Sequence, residues 1–431
     1  MGAINIDNTG SGGGITLSSD GTSLLLGGTA IGGSALELYA ENPSTPTTPI
    51  ATGANDVAIG TQAEATGGAA IALGYDAVAS GNLSLAINAA TASNTASIAI
   101  GQQAVASGSS SLALGYGTDA TGGFSTAVGR NAQATSTSSN AFGRDAVSAG
   151  NQSTAIGDAY ASGADSFAAA ITNNTSSYGA TGANSIAIGK QASASSTEAV
   201  AIGGNFQTAS ATYSSTIGGT FNTNQGSRAI IAGGQSNTID IAAQYSVIVG
   251  GNNNNVTGER GVIVGGANNE ANASHTFATG EYAKAAEIGK LARATGRFSA
   301  DGDAQGGQFI LRADTTDATA TVLTTNNSTA GSTNQIVAAS DTCITFDGTI
   351  TAMQNGAQAY ASWKIEGLLV NDGGTTTLAN SATTVISNAD GWGMALSADN
   401  TNNALAITVT GEAAHNIRWV ANIRTTEVTY A

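Results

Sequence analysis

The sequence is poor in the residues that cross-link chains or do chemistry. Its 431 residues include one cysteine, two histidines and three prolines, and aromatic residues make up 5%. A lone thiol, Cys343, cannot close an internal disulfide and reads as a buried structural side chain. His275 and His415 are far apart, and neither stands in an H-E-x-x-H or Cys/His pattern, so no metal site and no cofactor is expected. Serines abound, but there is no G-x-S-x-G elbow and no Cys/His arrangement, so no catalytic residue is assigned and the chain reads as a non-enzyme. The SGGG run at 11–14 lacks the G-K-S/T ending of a phosphate loop and reads as a turn. Glycan cleavage would need two carboxylates roughly 5–10 Å apart, and a sequence cannot place such a pair.

Charge is also scarce. Charged residues are 10% of the chain, and 13 basic against 29 acidic residues leave a net charge of −16. That balance excludes nucleic acid held through its phosphates and disfavours an anionic membrane as partner. No run approaches the ~20 apolar residues of a spanning helix, so no membrane insertion is expected. The opening MGAINIDNTGSGGG has neither a basic n-region nor an apolar h-region, so no secretion signal is expected. Ile6 stands where a myristoylation signal wants Ser or Thr.

What is present is glycine, 58 residues of it, among Ala, Ser, Thr and Asn. Small side chains of this kind can build only a thin core. Pro43, Pro46 and Pro49 fall together and mark a linker over 41–50, with a small β adaptor or anchor at 1–40 before it. After it an aliphatic-plus-glycine phrase recurs, ending at Gly60, Gly74, Asn88, Gly101, Gly115, Gly129, Gly143 and Gly157 in steps of 13 or 14 residues. The register lapses across ITNNTSSYGATGANS and returns at Gly189, Gly203, Gly218, Gly233, Gly250 and Gly265. A second phrase, A-x-A-S/T-G, falls between the first ones, as in Ala63 to Gly67 and Ala104 to Gly108.

Two short strands and two tight turns consume about fourteen residues, and stacking such coils pairs each backbone with the next at ~4.8 Å. The reading is a parallel β-roll or solenoid shaft over 51–281, roughly sixteen coils and ~75 Å long. The phrase-ending glycines are assigned as structural turn residues with φ > 0, and Asn88 is the residue type that best replaces them there. Alternation along each strand would send aliphatic side chains one way and Ala or Ser the other. A single roll of this kind buries little, so oligomerisation is expected to supply the missing core. The run Asn252 to Asn255 suits stacked turn amides and lacks the aspartates of a calcium loop.

Over 282–307 the phrase degenerates into a neck, with Lys284, Lys290, Arg293 and Arg297 interspersed with Glu281, Glu287, Asp301 and Asp303, which favours a solvated connection. Composition then shifts, and all three tryptophans, Trp363, Trp392 and Trp419, lie beyond it. About nine alternating runs over 308–431 suggest a jelly-roll-like β-sandwich. Its tryptophans read as core, with Tyr360 and Trp363 kept as candidate receptor contacts.

The run SIAIGQQAVASGSSSLALGYGTDATGG at 97–123 resembles the head repeats of YadA-type trimeric autotransporter adhesins, and the likeness covers about 55–205. That resemblance implies a left-handed parallel β-roll assembled as a homotrimer. The GG-x-x-N phrases starting at Gly233 and Gly265, with the related run Gly251 to Asn255, are similar to shaft repeats of bacteriophage tail fibres. The segments INIDNTGSGGGITLSSDGTSLLLGGTAIGG, LRADTTDATATVL and WKIEGLLV resemble structural proteins of marine bacteriophages. Together they imply an external virion appendage, a tail fibre joined to other virion proteins through its N-terminal segment and meeting a host surface glycan or protein. A head fibre or capsid decoration protein shares every feature. An enzymatic tailspike and a bacterial trimeric adhesin are the remaining alternatives.

Overall fold

The computed structural model describes residues 47–169, 177–356, 359–388 and 390–430, and the backbone of five short strands before residue 38. No helix occurs among the described residues, in keeping with an all-β chain. The chain divides into two compact units, Met1–Ile188 and Gly189–Ala431.

In the first unit, Ile4–Ile6, Ile15–Ser19, Leu24–Leu26 and Thr29–Ile31 form a four-stranded antiparallel sheet. Leu36–Glu37 then pairs in parallel with Val57–Ile59, so the roll's ladder starts before the proline-rich stretch. Pro43 and Pro46 lie outside the described residues. From Val57 onward each coil contributes one strand to each of two parallel ladders, in register from coil to coil. Ala58 pairs with Ala72, Ala72 with Ala86, and Ala86 with Ala99. The second ladder runs through Glu64–Ala65, Val78–Ala79 and Thr91–Ala92.

Alternation along these strands decides what becomes core. Ala72, Ala99, Ala113, Ala141 and Ala155 point inward and are 0% exposed, whereas Ile71, Ile98, Leu114, Phe142 and Ile156 point outward and stay 36–43% exposed. The coil interior has room for methyl groups only, so the larger aliphatic row is left on the outer surface.

The phrase-ending glycines do what their spacing predicts. Gly60, Gly74, Gly101, Gly115, Gly129, Gly143 and Gly157 in the first unit, and Gly189, Gly203, Gly218, Gly233 and Gly265 in the second, have positive φ, as does Asn88 at 65°. Gly250 is the exception. Its φ is not positive and an added Cβ would meet nothing within 4 Å, while Gly251 keeps the left-handed conformation that Gly234 and Gly266 also have. The glycines of the second phrase answer to a different cause. A Cβ on Gly108 would lie 1.9 Å from the Gly122 carbonyl oxygen, and one on Gly122 equally close to that of Ser136. Successive backbones touch at this corner.

In the second unit the repeats lengthen and the interior changes. Ile231, Ile239, Ile248, Val256 and Ile263 replace alanine in the core, and bridges from Thr220 to Gln235, Asn252 and Ala267 add a third edge to each coil. The GG-x-x-N phrase builds that edge. Asn222, Asn237, Asn254 and Asn269 stack inside, each fully buried. The side-chain amide of Asn254 donates to the carbonyls of Gly250 and Gly266, and its Oδ1 accepts the backbone N–H of Asn269 at 3.0 Å. The side-chain amide of its neighbour Asn253 donates to Asn268 Oδ1 at the surface. Asn254→Leu should therefore cost about 1–3 kcal/mol for each buried group left unpaired, while Asn253→Gly, which keeps a residue at ease at the φ of 53°, should cost less than about 0.5 kcal/mol. Thermal unfolding of the two variants, which differ at adjacent positions, checks the ladder.

The parallel ladder continues through Phe277–Glu281 to Leu291–Thr295, past the start of the expected neck, before the chain turns into an antiparallel sheet. That neck is not uniformly solvated. The position that holds a buried Ser97, Ser111 or Thr276 in earlier coils is taken by Lys290, only 3% exposed. Its ammonium lies 3.1 Å from Glu287 and 2.7 Å from Glu427 of the last strand. Gln305 and Thr425 donate to the same Glu427 carboxylate.

Candidate binding surfaces

The C-terminal sheet is built from five long antiparallel strands in the order Ala304–Thr315, Ile417–Thr429, Thr342–Gln354, Tyr360–Asp372 and Thr375–Asn388. Burial largely alternates along the first four, so one face is apolar, while Thr375–Asn388 is exposed over most of its length. Phe309, Leu311, Ile344, Ile350, Ile365 and Ile423 lie on that face. A second, smaller sheet of Thr321–Val322, Ala404–Thr410, Ile336–Val337 and Gly393–Asp399 covers it through Leu405, Ile407 and Val409.

The two candidate contact residues separate on this geometry. Trp363 faces inward, is 3% exposed and stacks on Trp419 with ring centroids 5.8 Å apart, while Trp392 packs against Trp419 from another side. Trp419 is anchored by its indole N–H, which donates to Thr315 Oγ1. The indole of Trp363 is thus a core side chain and offers no ring face to a receptor. Tyr360, three residues earlier and so on the opposite face, is 60% exposed.

Around Tyr360 the outer face carries Met353, Val420, Arg312 and Arg418, brought together by the register that sets Met353 opposite both Tyr360 and Arg418. Met353 and Val420 are exposed and border an open cleft of about 650 Å³ with Asp314, Thr316 and Arg418. A larger cleft of about 1020 Å³ is lined by Arg293, Phe298, Gln308, Asp347 and Arg424. On this face Arg418 pairs with Asp314 and Arg424 with Asp347. Spacing alone could not find this patch, since Met353, Tyr360 and Val420 come from three different strands.

The acidic groups are arranged for structure. Glu287 and Glu427 share Lys290 inside closed walls, each 7% exposed. Burial pushes the Glu287 carboxyl above its ordinary value against the pull of Lys290. Burial alone would lower Lys290, but the two carboxylates outweigh it and hold its ammonium above the ordinary lysine value. Among the described residues no group of three or more His, Cys, Asp or Glu side chains is placed to hold a metal ion.

Segments 51–77, 65–87, 92–118, 120–143, 134–159 and 180–205 match the YadA head domain repeat. This part of the chain is similar to YadA head domain repeats. In them the paired phrases are the two ladder strands, and the repeat's glycines are the left-handed turn and the backbone-contact corner. A comparison with curated protein sequences gives no match. Among solved structures the chain is similar to the tailspike protein of Acinetobacter phage vB_ApiP_P1, at 10% identity, TM-score 0.19, over 92% of this chain and 81% of that one. It is also similar to tailspike gp49 of Acinetobacter baumannii bacteriophage Fri1, described as a capsular polysaccharide depolymerase, at 9% identity, TM-score 0.21, over 92% and 68%. A third is the Acinetobacter baumannii phage AM24 tailspike, at 8% identity, TM-score 0.17, over 92% and 76%. TM-scores this low do not define a common fold.

Proposed function

We propose that the protein is a homotrimeric appendage of a phage particle, a tail fibre, that attaches the particle to the host surface by binding without cleavage. The observation that carries the trimer is the outward aliphatic row. The alanine interior of the first unit leaves Ile71, Ile98, Leu114, Phe142 and Ile156 uncovered on one ladder, and Ile217, Ile230 and Leu291 are exposed in the second unit. Rows of this kind mark association surfaces, and pairing three copies would bury them. The phage setting rests on the likeness of the GG-x-x-N and C-terminal segments to phage fibre proteins, with the N-terminal segment as the attachment to other virion proteins.

Light scattering of the purified protein should give three times 42.0 kDa. Ile98→Asp combined with Leu114→Asp should shift it to monomer, and a wild-type monomer would overturn the reading. Immunogold labelling should mark the tail. Labelling of the capsid would favour the second reading, a head fibre or decoration protein, which shares the same repeats. Incubation with capsular polysaccharide should leave its chain length unchanged, and shortening would replace binding by an enzymatic tailspike activity.

A further inference from the structure

One turn position of the second unit carries a sequence of side chains that the coil itself does not demand. Tyr213, Arg228, Tyr245, Arg260 and His275 occupy equivalent places in five successive coils. Each donates its backbone N–H to the coil before it, Arg228 to Thr212, Tyr245 to Ser227, Arg260 to Gln244 and His275 to Glu259. All five have φ between 56° and 61°, where a bulky side chain costs energy that glycine or asparagine would not. In the first unit the same turn position takes Ala96, Ser110 and Ser138 as well as Leu83 and Phe124, so the fold requires neither bulk nor charge there.

Four of these side chains, Tyr213, Arg228, Tyr245 and Arg260, form a ladder. The Arg228 guanidinium carbon lies 5.1 Å from the ring centre of Tyr213 and 5.7 Å from that of Tyr245, and Arg260 lies 5.2 Å from the other side of Tyr245. Arg228 thus has a ring on either side and Arg260 a ring on one, contacts that restrict a guanidinium while leaving N–H groups free to bond a ligand. Arg260 is partly neutralised by Glu259 at 2.6 Å. Among the described residues Arg228 has no carboxylate within ion-pair distance, in a chain of net charge −16. Tyr213 and Tyr245 remain 44% exposed, and their neighbours Thr212 and Gln244 are exposed polar groups.

We propose that this strip binds an acidic polysaccharide bearing a carboxylate on alternate sugars. The strip is straight and one side chain wide, which fits a linear polymer. Its two guanidiniums are two coils apart, or ~9.6 Å along the ladder, about the advance of one disaccharide. The fixed guanidinium fork matches a carboxylate, and the tyrosine hydroxyls and flanking Thr and Gln match sugar hydroxyls. The inference rests on the attachment reading above and names the chemistry of what is attached.

Full-length protein should bind hyaluronate, with carboxylates on alternate sugars, more tightly than alginate, with one on every sugar, and should not bind neutral dextran. Affinity should fall as salt rises. Arg228→Gln should weaken hyaluronate binding by about tenfold or more, the loss of one charge-assisted bidentate contact, while Arg144→Gln, an exposed arginine of the first unit, should not. Absence of hyaluronate binding, equal binding of inorganic polyphosphate, or an unchanged Arg228→Gln variant would each overturn the strip. Adhesion of labelled protein to capsulated bacteria separates the two readings. If wild type and Arg228→Gln adhere equally, the strip fails and attachment stands. If wild type binds hyaluronate but adheres to no cells, attachment fails and the strip stands.

Discussion

Replacing Gly122 by alanine is expected to destabilise the protein by about 3 kcal/mol or more, whereas the same change at the adjacent Gly123 should leave it unchanged or up to about 1 kcal/mol more stable. The reason is positional. A Cβ on Gly122 would sit 1.9 Å from the carbonyl oxygen and 2.3 Å from the carbonyl carbon of Ser136, both backbone atoms of the next coil. Neither can yield without breaking the ladder on both sides. A Cβ on Gly123 meets nothing within 4 Å, and its φ is not positive, so alanine there only narrows the unfolded ensemble. Gly115→Val tests the other kind of glycine. Its φ of 138° is joined by a 2.6 Å approach to the Gly129 carbonyl, so valine should also lower stability. Thermal unfolding of the three variants beside wild type checks all of this. An unchanged melting temperature for Gly122→Ala would show that the coils do not stack as closely as described.

Removing the charge of Lys290 should have an effect of similar size. Lys290→Met leaves Glu287 and Glu427 buried without a cation, which typically costs about 3–5 kcal/mol. Replacing all three together, as Lys290→Met with Glu287→Gln and Glu427→Gln, should recover much of that loss, because the penalty lies in the unpaired carboxylates. The pH dependence follows from the directions of the two shifts. Lys290 is held above its ordinary value in the folded state, so its contribution is complete below the unfolded lysine value of 10.5 and is lost as pH rises through the folded one. Glu287 is also raised, so between the unfolded glutamate value of 4.5 and its folded value the native state binds the extra proton, and its share of stability declines as pH rises across that interval. Wild type should therefore lose stability at strongly alkaline pH by an amount that Lys290→Met does not show. Equal alkaline profiles for the two proteins would remove the ion cluster from the account.

The cluster sits where the parallel ladder gives way to the antiparallel sheet. In most earlier coils the inward position before the first strand is a serine, threonine or alanine, whereas in the last it is a lysine that reaches the final strand.

Much of this was legible in the residues. The period, two strands per coil, left-handed turn glycines and all-β character follow from local chemistry: glycine alone is at ease at those φ values, and alternation along a strand admits one inward row. The tryptophan-rich C-terminal segment was legible as strands for the same reason. What depended on tertiary packing is which row is inside, because that is settled by the narrow gap between two ladders and not by hydrophobicity. In the first unit alanine therefore fills the core while isoleucine and leucine remain outside. Packing likewise decided that Gly122 and not Gly123 is indispensable, that Asn254 rather than Asn253 carries the amide ladder, and that Trp363 is enclosed while Tyr360 is exposed. The meeting of Lys290 with Glu427 and the stacking of Arg228 between Tyr213 and Tyr245 join residues far apart in the chain, and only the coil-on-coil register brings them together.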